Sequence, residues 1–210
     1  MFGTQSDVLK DEIKAALAGP APAESPAPVT EPVVAPVEQE TATEVAEADA
    51  LPEPTLVRAP VQGRTVTLSE VPDKTFAAGT VGPGLAIEPT AGTDGVVEAV
   101  APVSGKLMQL LPHAYAIMTD DKTAVLVHLG LDTVKLKGEG FTAHVAKGDR
   151  VVQGQPIITY DVAAVAETGY PTVVPVVVMD ARGATVDELA APSAPVSTMR
   201  PLFTVTKKKK

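Results

Sequence analysis

A pair of imidazoles is the most reactive combination this sequence offers, and their spacing decides whether the two rings can act together. The chain holds three histidines and no cysteine, which excludes a thiol nucleophile, a thiolate metal site and a disulfide within it. His113 opens the run His113-Ala114-Tyr115-Ala116-Ile117 and His128 closes Val125-Leu126-Val127-His128, with the turn-forming cluster Thr119-Asp120-Asp121-Lys122 between them. An antiparallel hairpin centred on Asp120 and Asp121 sets His113 directly opposite His128. Opposed residues on one face of such a ladder have Cβ atoms roughly 4.5–5.5 Å apart, so two rings could share one small ligand or one transferred group. The same register puts Tyr115 with Leu126, and Ile117 with Ala124, on the histidine face. A slip of one residue sends the histidines to opposite faces.

Two imidazoles can hold a metal, exchange protons or carry a phosphoryl group. A catalytic zinc usually takes a third protein ligand, and the sequence has neither the metalloprotease helix pattern nor a His-x-His spacing. His144 precedes the turn-like Lys147-Gly148-Asp149 and reads as a surface residue. There is no Gly-x-Ser-x-Gly elbow for a serine hydrolase and no Walker-type glycine loop for a nucleotide. Phosphoryl transfer fits what is left. A neutral imidazole is nucleophilic near neutral pH, and a second one can neutralise phosphoryl oxygens as charge develops.

Elements able to position such a pair are short strands. The 210 residues are 45% hydrophobic but only 3% aromatic, so the core must be built from Val, Ile, Leu and Ala. Runs such as 64–68, 84–87, 114–118, 124–129, 156–160 and 172–179 are punctuated by Gly, Pro and Asp, the texture of an all-β antiparallel sandwich or barrel. The segment Ala59-Pro60-Val61-Gln62-Gly63-Arg64 returns as Ala101-Pro102-Val103-Ser104-Gly105-Lys106, which predicts an internally duplicated sheet. Helix is expected only as single turns near Val71 to Phe76 and Val162 to Ala166.

Upstream the texture differs. Residues 5–18 read as a short amphipathic helix, with Ser6 or Asp7 as cap, Leu9, Ile13 and Leu17 on one face, and Gly19-Pro20 as the stop. Residues 19–54 are rich in Pro, Ala and Glu and read as a flexible, disordered linker. They carry most of the formal net charge of −9. The remainder, 55–210, is close to neutral, so nucleic acid is not an expected partner. The Lys207 to Lys210 run reads as a solvated tail. No apolar stretch approaches the ~20 residues of a membrane span.

Several short motifs, in order, now resemble one known family. They are Ala59-Pro60-Val61 to Gly63, Glu70-Val71-Pro72-Asp73 to Phe76-Ala77, Gly82-Pro83-Gly84-Leu85-Ala86-Ile87 to Pro89-Thr90, and Val127-His128-Leu129-Gly130-Leu131-Asp132-Thr133-Val134. Leu136-Lys137-Gly138-Glu139-Gly140-Phe141 and Thr172 to Val177 complete the set. Together they resemble the glucose-type enzyme IIA domain of the bacterial phosphoenolpyruvate-dependent sugar phosphotransferase system, over about residues 56–206. The resemblance implies a β-sandwich, with no cofactor or metal, that accepts a phosphoryl group from phospho-HPr on Nε2 of His128. It then passes the group to a cysteine of an enzyme IIB domain, serving a membrane enzyme IIC indirectly from the cytoplasmic side. It further implies that His113 stabilises the phosphoryl group, Asp132 helps orient an imidazole and Gly130 leaves room. Leu126, Leu129, Leu131 and Val134 would be the docking rim. Leu111 stands where the family often has a site threonine, so that contact is expected to be missing or replaced. The opening Met1 to Lys10 resembles the end of an IIB domain, giving the order IIB remnant (1–18), linker (19–54) and IIA domain (55–210). A tether of that kind raises the effective concentration of IIA at its acceptor.

Three other readings compete. Val145 to Ile157 resembles the turn of lipoyl and biotinyl carrier domains, with Lys122 as the modified lysine, but that leaves the histidine pair without a role. A zinc peptidase on a related duplicated β fold and a purely regulatory binding module are the others. The transported sugar is not encoded in a chain without a membrane domain.

Overall fold

The computed structural model describes residues 53–207 apart from 182 and 189. The expected helix over 5–18, all but the last two residues of the linker, and the end of the lysine run lie outside the described residues. The described residues form fourteen strands: β1 (Thr55–Arg58), β2 (Gly63–Val66), β3 (Gly84–Pro89), β4 (Val96–Val100), β5 (Gly105–Leu111), β6 (Ala114–Met118), β7 (Ala124–His128), β8 (Phe141–Ala143), β9 (Arg150–Val151), β10 (Pro156–Asp161), β11 (Val174–Met179), β12 (Ala184–Glu188), β13 (Pro195–Val196) and β14 (Pro201–Lys207). Among the described residues helix is confined to α1 (Lys74–Ala77), α2 (Val162–Glu167) and 3-10 turns at Leu68–Glu70 and Thr133–Leu136, close to the two places expected.

All pairings are antiparallel. An eight-stranded sheet runs β13-β2-β3-β11-β7-β6-β5-β9, and two three-stranded sheets, β1-β14-β12 and β4-β10-β8, accompany it. The main core lies between them. Leu85, Ile87, Tyr115, Ile117, Val125, Val127 and Val176 from the large sheet meet Ala99, Ile158, Tyr160, Val57 and Phe203 from the small ones. Small aliphatics fill most of it, and the buried Tyr115 hydroxyl is satisfied by the Val100 carbonyl at 2.7 Å.

The repeated motif is a structural repeat. The Arg58 N–H donates to the Pro102 carbonyl at 3.0 Å and the Val100 N–H to the Pro60 carbonyl at 2.9 Å, so each copy grips the other reciprocally. Ala59 exchanges hydrogen bonds with Met199 and Arg200 just as Ala101 does with Gly154 and Gln155. A Cβ on Gly63 would sit 2.0 Å from the Glu88 carbonyl oxygen, and one on Gly105 would sit 2.2 Å from that of Met118. Glycine is therefore required in both copies by the close approach of the next strand. The strand order follows suit, with β13, β2 and β3 on one side of the central β11-β7 pair and β9, β5 and β6 on the other.

Candidate functional site

The second face of the large sheet carries a smaller apolar cluster. Ala86, Ala114, Ala116, Leu126 and Val177 from the strands pack under Val71 and Phe76 of the segment that crosses the face, with Leu131 and Val173. Asp73 starts α1 by accepting from the N–H groups of Thr75 at 2.8 Å and Phe76 at 3.1 Å, which fixes where Phe76 lies. His128, at the end of β7, and His113 are both buried beside this cluster, with 6% and 5% of their surfaces exposed. Their ring centroids are 5.2 Å apart and tilted at 57°, and the Phe76 ring stands edge-on to His128 at 5.7 Å.

The rings meet by a different route from the one expected. His128 pairs with Ala114, and Tyr115 pairs with Val127 in the main core, one step away from the anticipated register. The cause is the loop. The connection is three residues, Asp120-Asp121-Lys122, with Lys122 in the left-handed region at φ 65 and the Thr119 N–H closing on the Thr123 carbonyl at 2.9 Å. The apolar strip beside the histidines is accordingly Ala114, Ala116 and Leu126, not Tyr115 and Ile117. His113 escapes the consequence of the slip because it is not a strand residue. It shares with Pro112 the turn between β5 and β6, and a turn side chain is not held to the alternation of the pleat.

The tautomer of His128 is set by a backbone carbonyl and its charge state by burial and His113. Its Nδ1 lies 2.5 Å from the Gly130 carbonyl oxygen. A carbonyl only accepts, so Nδ1 carries the hydrogen and the neutral ring keeps its lone pair on Nε2. Burial, and then the charge of His113, push the His128 imidazolium down to about 4, against smaller opposing pulls from the Gly130 carbonyl, Asp73 and Asp132. Burial likewise lowers His113. Both rings are thus neutral at pH 7. Gly130 has φ 72, and a Cβ there would lie 2.7 Å from Cγ2 of Thr133 and 3.1 Å from the Pro171 carbonyl oxygen. Thr133 is buried and donates to the Leu129 carbonyl at 2.9 Å, while the Leu131 N–H donates to Pro171 at 2.8 Å. These bonds hold the Gly130 carbonyl where His128 needs it.

Other expected site residues are placed differently. Asp132 makes no hydrogen bond to either ring among the described residues. Its carboxylate pairs with Lys135 at 3.1 Å, and it acts on His128 through charge alone. Leu129 is fully buried in the main core, on the opposite face of the strand from His128. Leu126 and Leu131 are buried in the smaller cluster. Strand alternation and the turn after β7 draw all three inward, so that Leu126 and Leu131 lie beneath the site and Leu129 lies in the core behind it. Val134 is 38% exposed. Leu111, opposite Ala114 on β5, is half-buried against the same cluster, an apolar wall at the position where the resemblance implies a missing or replaced threonine contact. Phe76 and the carbonyls of Gly130 and Pro171 went unassigned in the sequence. Phe76 was within reach, being one of four phenylalanines and part of a quoted motif, but backbone carbonyls leave no mark on residue type. His144 is exposed, with Nε2 at 2.6 Å from the Thr159 hydroxyl. Among the described residues no group of three or more His, Asp or Glu could hold a metal.

The family model for the phosphoenolpyruvate-dependent sugar phosphotransferase system, EIIA 1, matches residues 55–183. The chain belongs to this family. It is similar to the PTS system glucose-specific EIIA component of Halalkalibacterium halodurans, with 43% identity over 143 residues, covering 67% of this chain and 77% of that protein. It is also similar to the glucoside-specific EIICBA component of Staphylococcus carnosus, with 37% identity over 193 residues, 90% of this chain but 26% of that protein. The glucosamine-specific EIICBA component of Bacillus subtilis gives 37% over 179 residues, again 26% of its length. The chain thus spans about a quarter of these longer relatives. Among solved structures, glucose permease IIA from Mycoplasma capricolum matches with a TM-score of 0.64 and 30% identity, over 72% of this chain and 96% of that one. The EIIA sandwich is therefore the fold, and the lipoyl or biotinyl carrier reading is not favoured. No described helix is long and apolar enough to cross a membrane.

Proposed function

We propose that this EIIA domain carries a phosphoryl group on Nε2 of His128. The supporting observation is the hydrogen bond from Nδ1 to the Gly130 carbonyl in a buried site, which leaves Nε2 as the basic nitrogen of a neutral ring. In the forward step the Nε2 lone pair attacks phosphorus on the phosphohistidine of HPr. The Nε2–P bond forms as the donor's N–P bond breaks, and the released electron pair stays on the donor imidazole. Nδ1–H keeps its proton throughout, and the Gly130 carbonyl stabilises the positive charge that the ring gains. His113, with its centroid 5.2 Å away, donates an N–H to a phosphoryl oxygen. In the second step a cysteine thiolate of an IIB domain attacks phosphorus and the electron pair returns to Nε2. The fused EIICBA relatives support an IIB and IIC partnership at the cytoplasmic face of a membrane.

Incubation with phosphoenolpyruvate, enzyme I and HPr tests the assignment. His128→Ala should abolish acid-labile labelling, whereas His113→Ala should still label but lose onward transfer to IIB. Stable labelling of His128→Ala would overturn the choice of nucleophile.

A further inference from the structure

One polar side chain on the histidine face has no role in the chemistry above. β5 carries a bulge between Leu107 and Gln109, where the register against β6 shifts. Leu107 pairs with Ile117 in the main core, but beyond the bulge Gln109 pairs with Ala116 and Leu111 with Ala114, both on the histidine face. The extra residue, Met108, therefore turns Gln109 from the core to the face that carries His128. Re-aiming a side chain is what bulges near functional sites commonly do. Ala114 and Ala116 lie between β5 and β7 on that face. Its Oε1 is inaccessible to solvent and has no hydrogen-bond partner among the described residues. A buried acceptor left unpaired is unfavourable, and folded proteins rarely keep one without reason.

We infer that Gln109 is a recognition residue for the phosphoryl donor. When the donor docks over His128, the carboxamide turns out and Oε1 accepts a main-chain N–H from the donor segment flanking its phosphohistidine. Distance permits this. Gln109 lies two strands and one pleat repeat from His128, roughly 12 Å at standard sheet spacings. A standard interface of about 800 Å² per partner, centred on His128, reaches that far. The free domain holds the acceptor unpaired and the docked domain pairs it, so docking gains what folding forgoes. The inference rests on the carrier role of His128.

Opposite signs in two measurements test it. Gln109→Leu and the near-isosteric Gln109→Met, made in the full chain, remove the unpaired acceptor and should raise Tm. The same variants should raise KM for phospho-HPr about fivefold, the size of one net hydrogen bond, with kcat for labelling unchanged. A role confined to packing would not raise KM while stabilising the fold. Wild-type KM in both variants, or a fall in Tm in both, overturns the inference. If the wild-type chain takes no label from phospho-HPr, the carrier reading falls and this inference with it.

Discussion

At His128 the tautomer is fixed by the Gly130 carbonyl, and the charge state by burial and the neighbouring His113. A folded-state value of about 4 against an ordinary 6.5 means that between these two pH values the unfolded chain binds the proton that the folded chain refuses. Stability therefore rises with pH across that window, is fully present above about 6.5, and is lost as pH falls toward 4, by something of order 3 kcal/mol for a shift this large. His113, also lowered, adds in the same sense. Urea unfolding at pH 4.5 and 7 should show this slope for wild type and a much shallower one for His128→Ala. The labelling rate should likewise hold its plateau through pH 6, where an unperturbed histidine would already be losing its lone pair. Gly130 gives the second test at this scale. Gly130→Ala places a methyl against Thr133 and the Pro171 carbonyl in a left-handed backbone, and should destabilise by about 2–4 kcal/mol. The Nδ1–H resonance of His128 should shift as its carbonyl acceptor is displaced.

The element that matters most is the β6–β7 hairpin, whose far loop sets the register that brings Ala114 to His128. Asp121 organises that loop. Its carboxylate accepts from the hydroxyls of Thr119, Thr123 at 2.8 Å and Thr55 at 2.9 Å, and its carbonyl accepts from Lys207. The loop thereby ties down the first strand and the last. Asp121→Ala should lower stability by about 1–3 kcal/mol in denaturant melts while leaving the extent of His128 labelling unchanged, because the Thr119 to Thr123 backbone closure survives. The same loop explains where a reading of residues alone goes astray. Strand positions and the partnership of the two histidines were legible from apolar runs and turn residues. The choice between a two-residue and a three-residue connection was not, because it depends on Lys122 adopting a left-handed conformation that lysine seldom takes. That one residue moved Tyr115 into the core and exchanged the expected apolar strip for Ala114, Ala116 and Leu126. The bulge at Met108 is equally silent in the sequence, since it shows only once β5 is laid against β6.

Across the whole molecule the duplicated Ala-Pro-Val turn was the most informative long-range signal, because each copy bonds to the other and neither is complete without its partner. The strand that leads into its first copy is tied into the sandwich. β1 pairs with β14 along its length, Val57 is fully buried, and Gln153 reaches the Leu56 carbonyl at 3.1 Å while its Oε1 accepts from Arg58 at 3.0 Å. The family match starts at the same residue, 55. A chain shortened to begin at residue 53 keeps every one of these contacts and should melt within a degree or two of the full chain and label at the same rate. A chain beginning at residue 60 loses the β1–β14 ladder, the burial of Val57, worth about 1.5–3 kcal/mol on its own, and the Thr55 bond to Asp121. Such a loss takes a large share of a typical 5–15 kcal/mol of stability, so this shorter chain should be recovered unfolded or aggregated. Equal melting of both shortened chains would mean that β1 is an accessory strand, and that the reciprocal grip between the two turns does not hold the sandwich together.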